Sequence, residues 1–333
     1  MEWYDRVTDD SPIISCRVRL ARNLKKYPFF SKLSNIPAKE MIDQVVTTVI
    51  TNTDGYFNYT DITQKSDVEK LSLLERHKIS LELVRSKYPG GILSSKDDTT
   101  HIMLNEEDHL RIQSISPGKN IREVFDRANE VDNLIEENFE YAFDENFGYL
   151  TACPSNVGTG MRASYMVHLP LLESSGKLSR VINALSSSGM TIRGIYGENS
   201  NPVGNIYQIS NQITLGKSED EIVSALENIT DRIVQNELEM LDSHLKKQRL
   251  QFEDKVHRAY GLLTNCRQID IKEAKNLLST LRLGVMAKIF EFPMSIYTLM
   301  MNIEYGCLYL NVGSGLKKDM DEIRADYIRE QLK

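Results

Sequence analysis

The feature that most limits the folds open to this chain is a change of apolar period between residues 215 and 218. Residues 11 to about 215 mix short alternating runs with helices and glycine-rich turns, whereas the rest carries apolar side chains at helical spacing. That texture predicts an α/β domain followed by a helical one. In the first part, Met41, Ile42, Val45, Val46 and Val49 mark one helix. Val68, Leu71 and Leu74 mark a second, opened by a Ser66/Glu69 capping box, and Val124, Ala128, Val131 and Ile135 mark a third. Strands are predicted at 101–104, 149–152, 162–169, 191–196 and 205–210, where β-branched or aromatic residues alternate with polar ones. In the second part, Ser218 and Glu221 form another capping box before a stripe that runs to Tyr260, a very long helix or two in line. Shorter helices at 270–281, 294–303 and 319–332 complete a small bundle.

Charge narrows the function classes. Lys and Arg total 40 against 47 Asp and Glu, a net charge of -7, which argues against direct nucleic-acid or anionic-membrane binding. A polyanion must then be held locally. The acidic opening MEWYDRVTDD has no apolar signal region, and no run is long and apolar enough to span a bilayer, so a cytoplasmic protein is expected. Cys16, Cys153, Cys266 and Cys307 are far apart, and the histidines have no metal-ligand spacing, so neither disulfides nor a structural metal are expected.

Two motifs mislead. Gly158 to Ala163 fits GxGxxA, but the residues after it alternate like a strand and no ribose-binding acid follows at the required distance. Gly216-Lys217-Ser218 ends like a phosphate loop, yet Asn211 stands where the leading glycine belongs.

Four constellations carry chemistry. In Ser15-Cys16-Arg17-Val18-Arg19, alternation puts Arg17 and Arg19 on one face with Arg22 close by. Arg111, Arg162 and Arg193 recur in apolar, glycine-flanked settings, and together these arginines can form a cage around a triphosphate, because a guanidinium binds phosphate oxygens in pairs and keeps its charge. The run Asn105-Glu106-Glu107-Asp108-His109 gathers three acids, which raise one another's pKa in a pocket and can deprotonate a nucleophile. Cys153 precedes a tight turn and the glycine loop leading to Arg162. Residues Arg193 to Glu198 run into a polar loop, 199–204, able to close over a substrate. Each alone is an ordinary solvated edge, loop, buried thiol or hairpin.

SCRVRLAR, NEEDHLRIQ, CPSNVGTGMRA and RGIYGE, in that order, resemble the phosphagen (guanidino) kinases over nearly the whole chain. The resemblance implies an α+β fold: a glutamine-synthetase-like catalytic domain with a curved antiparallel sheet flanked by helices at 1–240, then a helical C-terminal domain at 241–333 for dimerisation or regulation. It implies ATP and Mg2+ as cofactors, with no side chain needed as a strong metal ligand. It assigns Ser15, Cys16, Arg17, Val18, Arg19, His77, Arg111, Arg162, Ala163, Ser164, Tyr165, Met166, Arg193, Gly194, Ile195, Tyr196, Gly197 and Glu198 to the nucleotide site. Glu107 becomes the catalytic base, Glu198 the second carboxylate and Cys153 the thiol beside them.

Only 14 residues precede Ser15, where the small-molecule kinases of the family carry a helical domain that encloses a free guanidine. The acceptor is therefore expected to be an arginine side chain within a protein. Free arginine, or a non-catalytic phosphoarginine-binding adaptor, are the competing readings. The resemblance further implies a homodimer, a zinc-containing activator protein, a transcriptional repressor as substrate, and delivery of marked proteins to a Clp protease. Asp321 and Arg324 align with a regulatory phosphoarginine pocket in which Met320 replaces the family's first arginine, and Cys16 stands where serine is usual.

Overall fold

The computed structural model describes residues 1–186, 188–194, 202–313 and 319–333. An eight-stranded sheet organises the first two thirds of the chain. Its strands are β1 (Ile13–Arg22), β2 (Phe57–Asp61), β3 (Gly91–Ser95), β4 (Thr100–Leu104), β5 (Leu110–Pro117), β8 (Met161–His168), β9 (Met190–Gly194) and β10 (Ile206–Asn211), in the order β2-β3-β4-β5-β1-β8-β10-β9. Every pairing among them is antiparallel. A separate hairpin joins β6 (Phe143–Asp144) to β7 (Gly148–Tyr149). The α+β class expected from the resemblance is what the chain forms.

Alternation along these strands gives the sheet two unlike faces. On one, Cys16, Val18, Leu20, Ile112, Ala163 and Val167 pack against α1 (Asn35–Asn52), α4 (Ile121–Glu136) and α7 (Glu219–Lys247), through Met41, Val45, Val124, Ala128, Ile222 and Leu226. These helices are amphipathic for that reason, and their inward residues are the stripes legible in the sequence. The short helices α2 (Asp67–Glu75), α3 (Leu81–Arg85), α5 (Pro170–Ser174) and α6 (Leu178–Ser186) fill the connections. Both capping boxes form, Ser66 accepting from the Glu69 N–H and Ser218 from the Glu221 N–H, so Ser218 opens a helix and no phosphate loop.

Past Gln248, α8 (Arg249–Asn265), α9 (Ile271–Met286), α10 (Ile296–Asn302), α11 (Tyr305–Val312) and α12 (Met320–Gln331) enclose a second core. It reaches back to Trp3, Tyr4 and Ile14 and to Ile115, Met166 and Ile206 at one end of the sheet's other face. A buried ion pair, Arg282 Nε to Asp9 at 2.8 Å, fastens α9 to the N-terminal segment. The expected boundary at 240/241 lies inside α7, which continues unbroken to Lys247. Among the described residues no helix is long and apolar enough to cross a membrane.

Candidate active site

The middle of β1 lies between β5 and β8, and its register decides the site. Arg19 stands opposite Gln113 on β5 and Arg162 on β8; Arg17 stands opposite Ser164, and Ala21 opposite Arg111. On the next strands Gln208 faces Met166 and Arg193. Arg17, Arg19, Arg111, Arg162 and Arg193 therefore share the face that the apolar helices do not cover. The residues between them in sequence do not. Cys16, Val18, Ala163 and Tyr165 belong to the helix-covered core, and Gly194 lies on the same side as that core by register, so the contiguous runs expected to bind nucleotide resolve into alternate residues. Arg22 is a correction of the same kind: close to Arg17 and Arg19 in sequence, it points the other way. There it ion-pairs with Asp132 at 2.7 Å, stacks 3.5 Å from the Tyr149 ring centre and donates to the Thr159 carbonyl. Gly160, with φ +62, passes so close that a Cβ would sit 2.6 Å from Arg22 Nη1.

Crowded like charges are costly unless something negative answers them. Burial, then the Arg111 and Arg162 guanidiniums, pushes Arg17 down to about 10, and burial with Arg17, Arg111 and Arg162 pushes Arg19 down well below its ordinary value. At about 10, Arg17 remains charged at neutral pH. Arg17 donates to Gln208 Oε1 at 2.9 Å and Arg162 to the Asn211 carbonyl at 3.4 Å. Arg19 Nε is buried and has no hydrogen-bond partner among the described residues. A buried guanidinium N–H left open among three other arginines fits an anionic oxygen, which is what a nucleotide phosphate presents. His77, in a left-handed turn (φ +60), is held to this face by Gln113, whose Nε2 donates to the His77 carbonyl at 2.7 Å. Burial, then Arg17, Lys275 and Arg19, pushes its imidazole down to about 3, so it is neutral at neutral pH. Ser15 and Met166 lie farther along, where the C-terminal core begins; Tyr297 Oη donates to the Met166 sulfur at 3.1 Å.

The acidic turn between β4 and β5 sits at the arginine end of this face. Asn105 takes a left-handed conformation (φ +55), and the turn closes by the Asn105 N–H donating to the His109 carbonyl at 2.9 Å. Its three acids are not equivalent. Glu106 is buried in an ion pair with Arg111 and accepts the Glu107 N–H. Asp108 Oδ1 is buried and accepts from the Ala152 N–H and from Asn23 Nδ2, both at 2.6 Å. Glu107 is half-buried, and among the described residues its carboxylate accepts no hydrogen bond. Burial and then Glu106 raise it above the ordinary carboxylate range, against the pull of Arg111. The bond from Ala152 to Asp108 brings the turn beside Cys153, whose sulfur lies 3.0 Å from Ser155 Oγ.

Glu198, Ile195, Tyr196 and Gly197 lie outside the described residues. Asp321 and Arg324 come together on α12, away from this face, as an ion pair; Arg324 is buried and also donates to the carbonyls of Ile269 (2.9 Å) and Ile303 (3.2 Å). Asn23, Gln113 and Gln208 were not singled out from the sequence. Each is a polar residue on or just past a strand, and only the pairing of strands shows what it faces.

A sheet face that gathers arginines beside a half-buried carboxylate has the chemistry a phosphoryl transfer needs. Residues 39–240 match the family described as ATP:guanido phosphotransferase, C-terminal catalytic domain, and residues 249–333 match the protein-arginine kinase McsB C-terminal domain. Similar chains include protein-arginine kinases of Clostridium acetobutylicum (41% identical, covering 98% of this chain and 97% of that one) and of Bacillus cereus strain AH187 (41%, covering 98% and 93%). Among solved structures, a lombricine kinase aligns with a TM-score of 0.60 at 27% identity over 71% of this chain and 69% of that one. A duplicated taurocyamine kinase from Schistosoma mansoni with bound transition-state-analogue components aligns with 0.62 at 26%, over 71% and 34%. The fold is that of the guanidino phosphotransferases. Within them, the chain belongs to the protein-arginine kinases.

Proposed function

We propose that this protein transfers the terminal phosphoryl group of ATP to a guanidinium nitrogen of an arginine side chain in another protein. The observation that carries this is a single sheet face on which Arg17, Arg19, Arg111 and Arg162 converge next to a half-buried, unengaged Glu107. A guanidinium holds its proton to a pH above about 12, so its nitrogen attacks phosphorus only when a carboxylate orients it and takes the proton during the step. Glu107 has the raised pKa that suits a base, and Glu106, tied to Arg111, keeps its own carboxylate out of the way. As the N–P bond forms and the bond to the leaving ADP oxygen breaks, negative charge spreads over the phosphoryl oxygens, where the arginines meet it without rearranging. Mg2+ bound through the phosphate oxygens would share that charge. Glu198 is assigned as the second carboxylate and Cys153 as the thiol beside the acceptor.

A protein acceptor is supported by the names of the similar chains. The same reading includes the division of labour between 1–240 and 241–333, a homodimer in the cytoplasm, a zinc-containing activator, a phosphoarginine pocket at Asp321 and Arg324, a transcriptional repressor among the substrates, and delivery of marked proteins to a Clp protease. Labelled ATP supplied with casein or with free arginine tests the core of it. Acid-labile, base-stable label on casein is the expected result, and label on free arginine alone would overturn it.

A further inference from the structure

Base and phosphate arginines must be held a fixed distance apart, yet Glu107 sits on a turn and the arginines on strands. Besides the Glu106–Arg111 ion pair, Asn23 joins them. It follows Arg22, the last residue of the strand that bears Arg17 and Arg19, and is only 2% exposed. Its amide is fully engaged: Nδ2 donates to Asp108 Oδ1 at 2.6 Å and to the Leu150 carbonyl at 3.1 Å, and Oδ1 accepts the His109 N–H at 3.0 Å. Asp108 Oδ1 in turn accepts the Ala152 N–H, next to Cys153. The neighbouring Leu24 N–H donates to His109 Nδ1 at 3.0 Å, so two successive residues of the strand's exit grip the turn. We propose that Asn23 is a positioning residue that sets the register of the acidic turn, and with it Glu107, against the phosphate-binding arginines and the loop of Cys153. It touches neither substrate; it acts through Asp108. No other side-chain type fits the pattern, because the position needs two donors and one acceptor on a short planar group with no charge. The inference rests on Glu107 being the base.

The test uses the full chain. Asn23→Asp keeps the acceptor for His109 but loses both donors and sets a second carboxylate against Asp108. We expect kcat at pH 8 to fall about 10- to 100-fold, the loss typical of a reacting group displaced by a fraction of an ångström to an ångström, while KM for ATP stays within about twofold. The deficit should shrink as pH falls, because one proton shared by the two acids restores a hydrogen bond between them. Asn23→Asp with wild-type kcat at every pH would overturn the inference, as would loss of ATP affinity in parallel with kcat. Glu107→Gln serves as the separate control: if it keeps full activity, the base assignment falls whatever Asn23→Asp does. An inactive Glu107→Gln beside an unaffected Asn23→Asp ends only the register argument.

Discussion

The two faces of one strand differ more than any two domains of this molecule. On β1, Cys16, Val18 and Leu20 are buried among apolar side chains from three helices, and one residue away on either side Arg17 and Arg19 crowd against Arg111 and Arg162. The first face lowers the free energy of the fold by removing apolar surface from water. The second raises it, since guanidiniums are drawn together and partly desolvated, with Glu106 opposing the repulsion at Arg19. The lesson is that the stable face holds the unstable one in shape, so that the anion it waits for meets donors already in place.

Substitutions can break that contrast in either direction. The largest effect is expected at the edge of the charged face: Glu107→Gln should lower kcat about 10²- to 10⁴-fold with little change in melting temperature, measured by phosphoryl transfer and calorimetry. Arg19→Met comes next, losing about 10²- to 10³-fold in transfer while melting no lower than the wild type, because a buried charge with an unsatisfied N–H is replaced by an apolar chain of similar length. ATP should raise the melting temperature of the wild type and much less that of Arg19→Met. On the other face, Leu20→Ala should cost about 2–5 kcal/mol in urea unfolding, with transfer per folded molecule nearly unchanged; equal losses of activity on both faces would contradict the division.

The smallest effect concerns acid. His77 titrates near 3 in the fold against about 6.5 unfolded, so between those values the unfolded chain binds the extra proton and stability falls as pH drops through the window. His77→Gln should flatten the slope of the urea midpoint against pH between about 6.5 and 4. An unchanged slope would mean that burial beside Arg17, Lys275 and Arg19 does not hold His77 neutral.

Much of the fold was legible along the chain. Helical stripes gave α1, α4, α7, α9 and α12 within a few residues, and both capping boxes were read correctly, because these depend on side chains three or four positions apart. Strands β2, β3 and β5 lie outside the sequence reading, α3, α5 and α11 are too short or too embedded to show a clear period, and the stripe of α6, at Leu178, Val181, Ile182 and Leu185, is legible but lies outside that reading as well. Residues 149–152 were expected as a strand, but only Gly148–Tyr149 pairs, since the segment beyond it is taken up by bonds to Asn23 and Asp108.

The sequence by itself determined which residues can share a face: alternation at Arg17 and Arg19 excludes Cys16 and Val18 from the arginine side whatever the topology, because successive side chains of a strand point opposite ways. It also supplied the motifs that match the family. Only the tertiary structure decided that β1 lies between β5 and β8, a choice made by long-range pairing that no local pattern encodes. That choice sets Arg19 beside Arg162, sends Arg22 to Asp132, and turns an unremarked Asn23 into a bridge between the exit of β1 and the acidic turn.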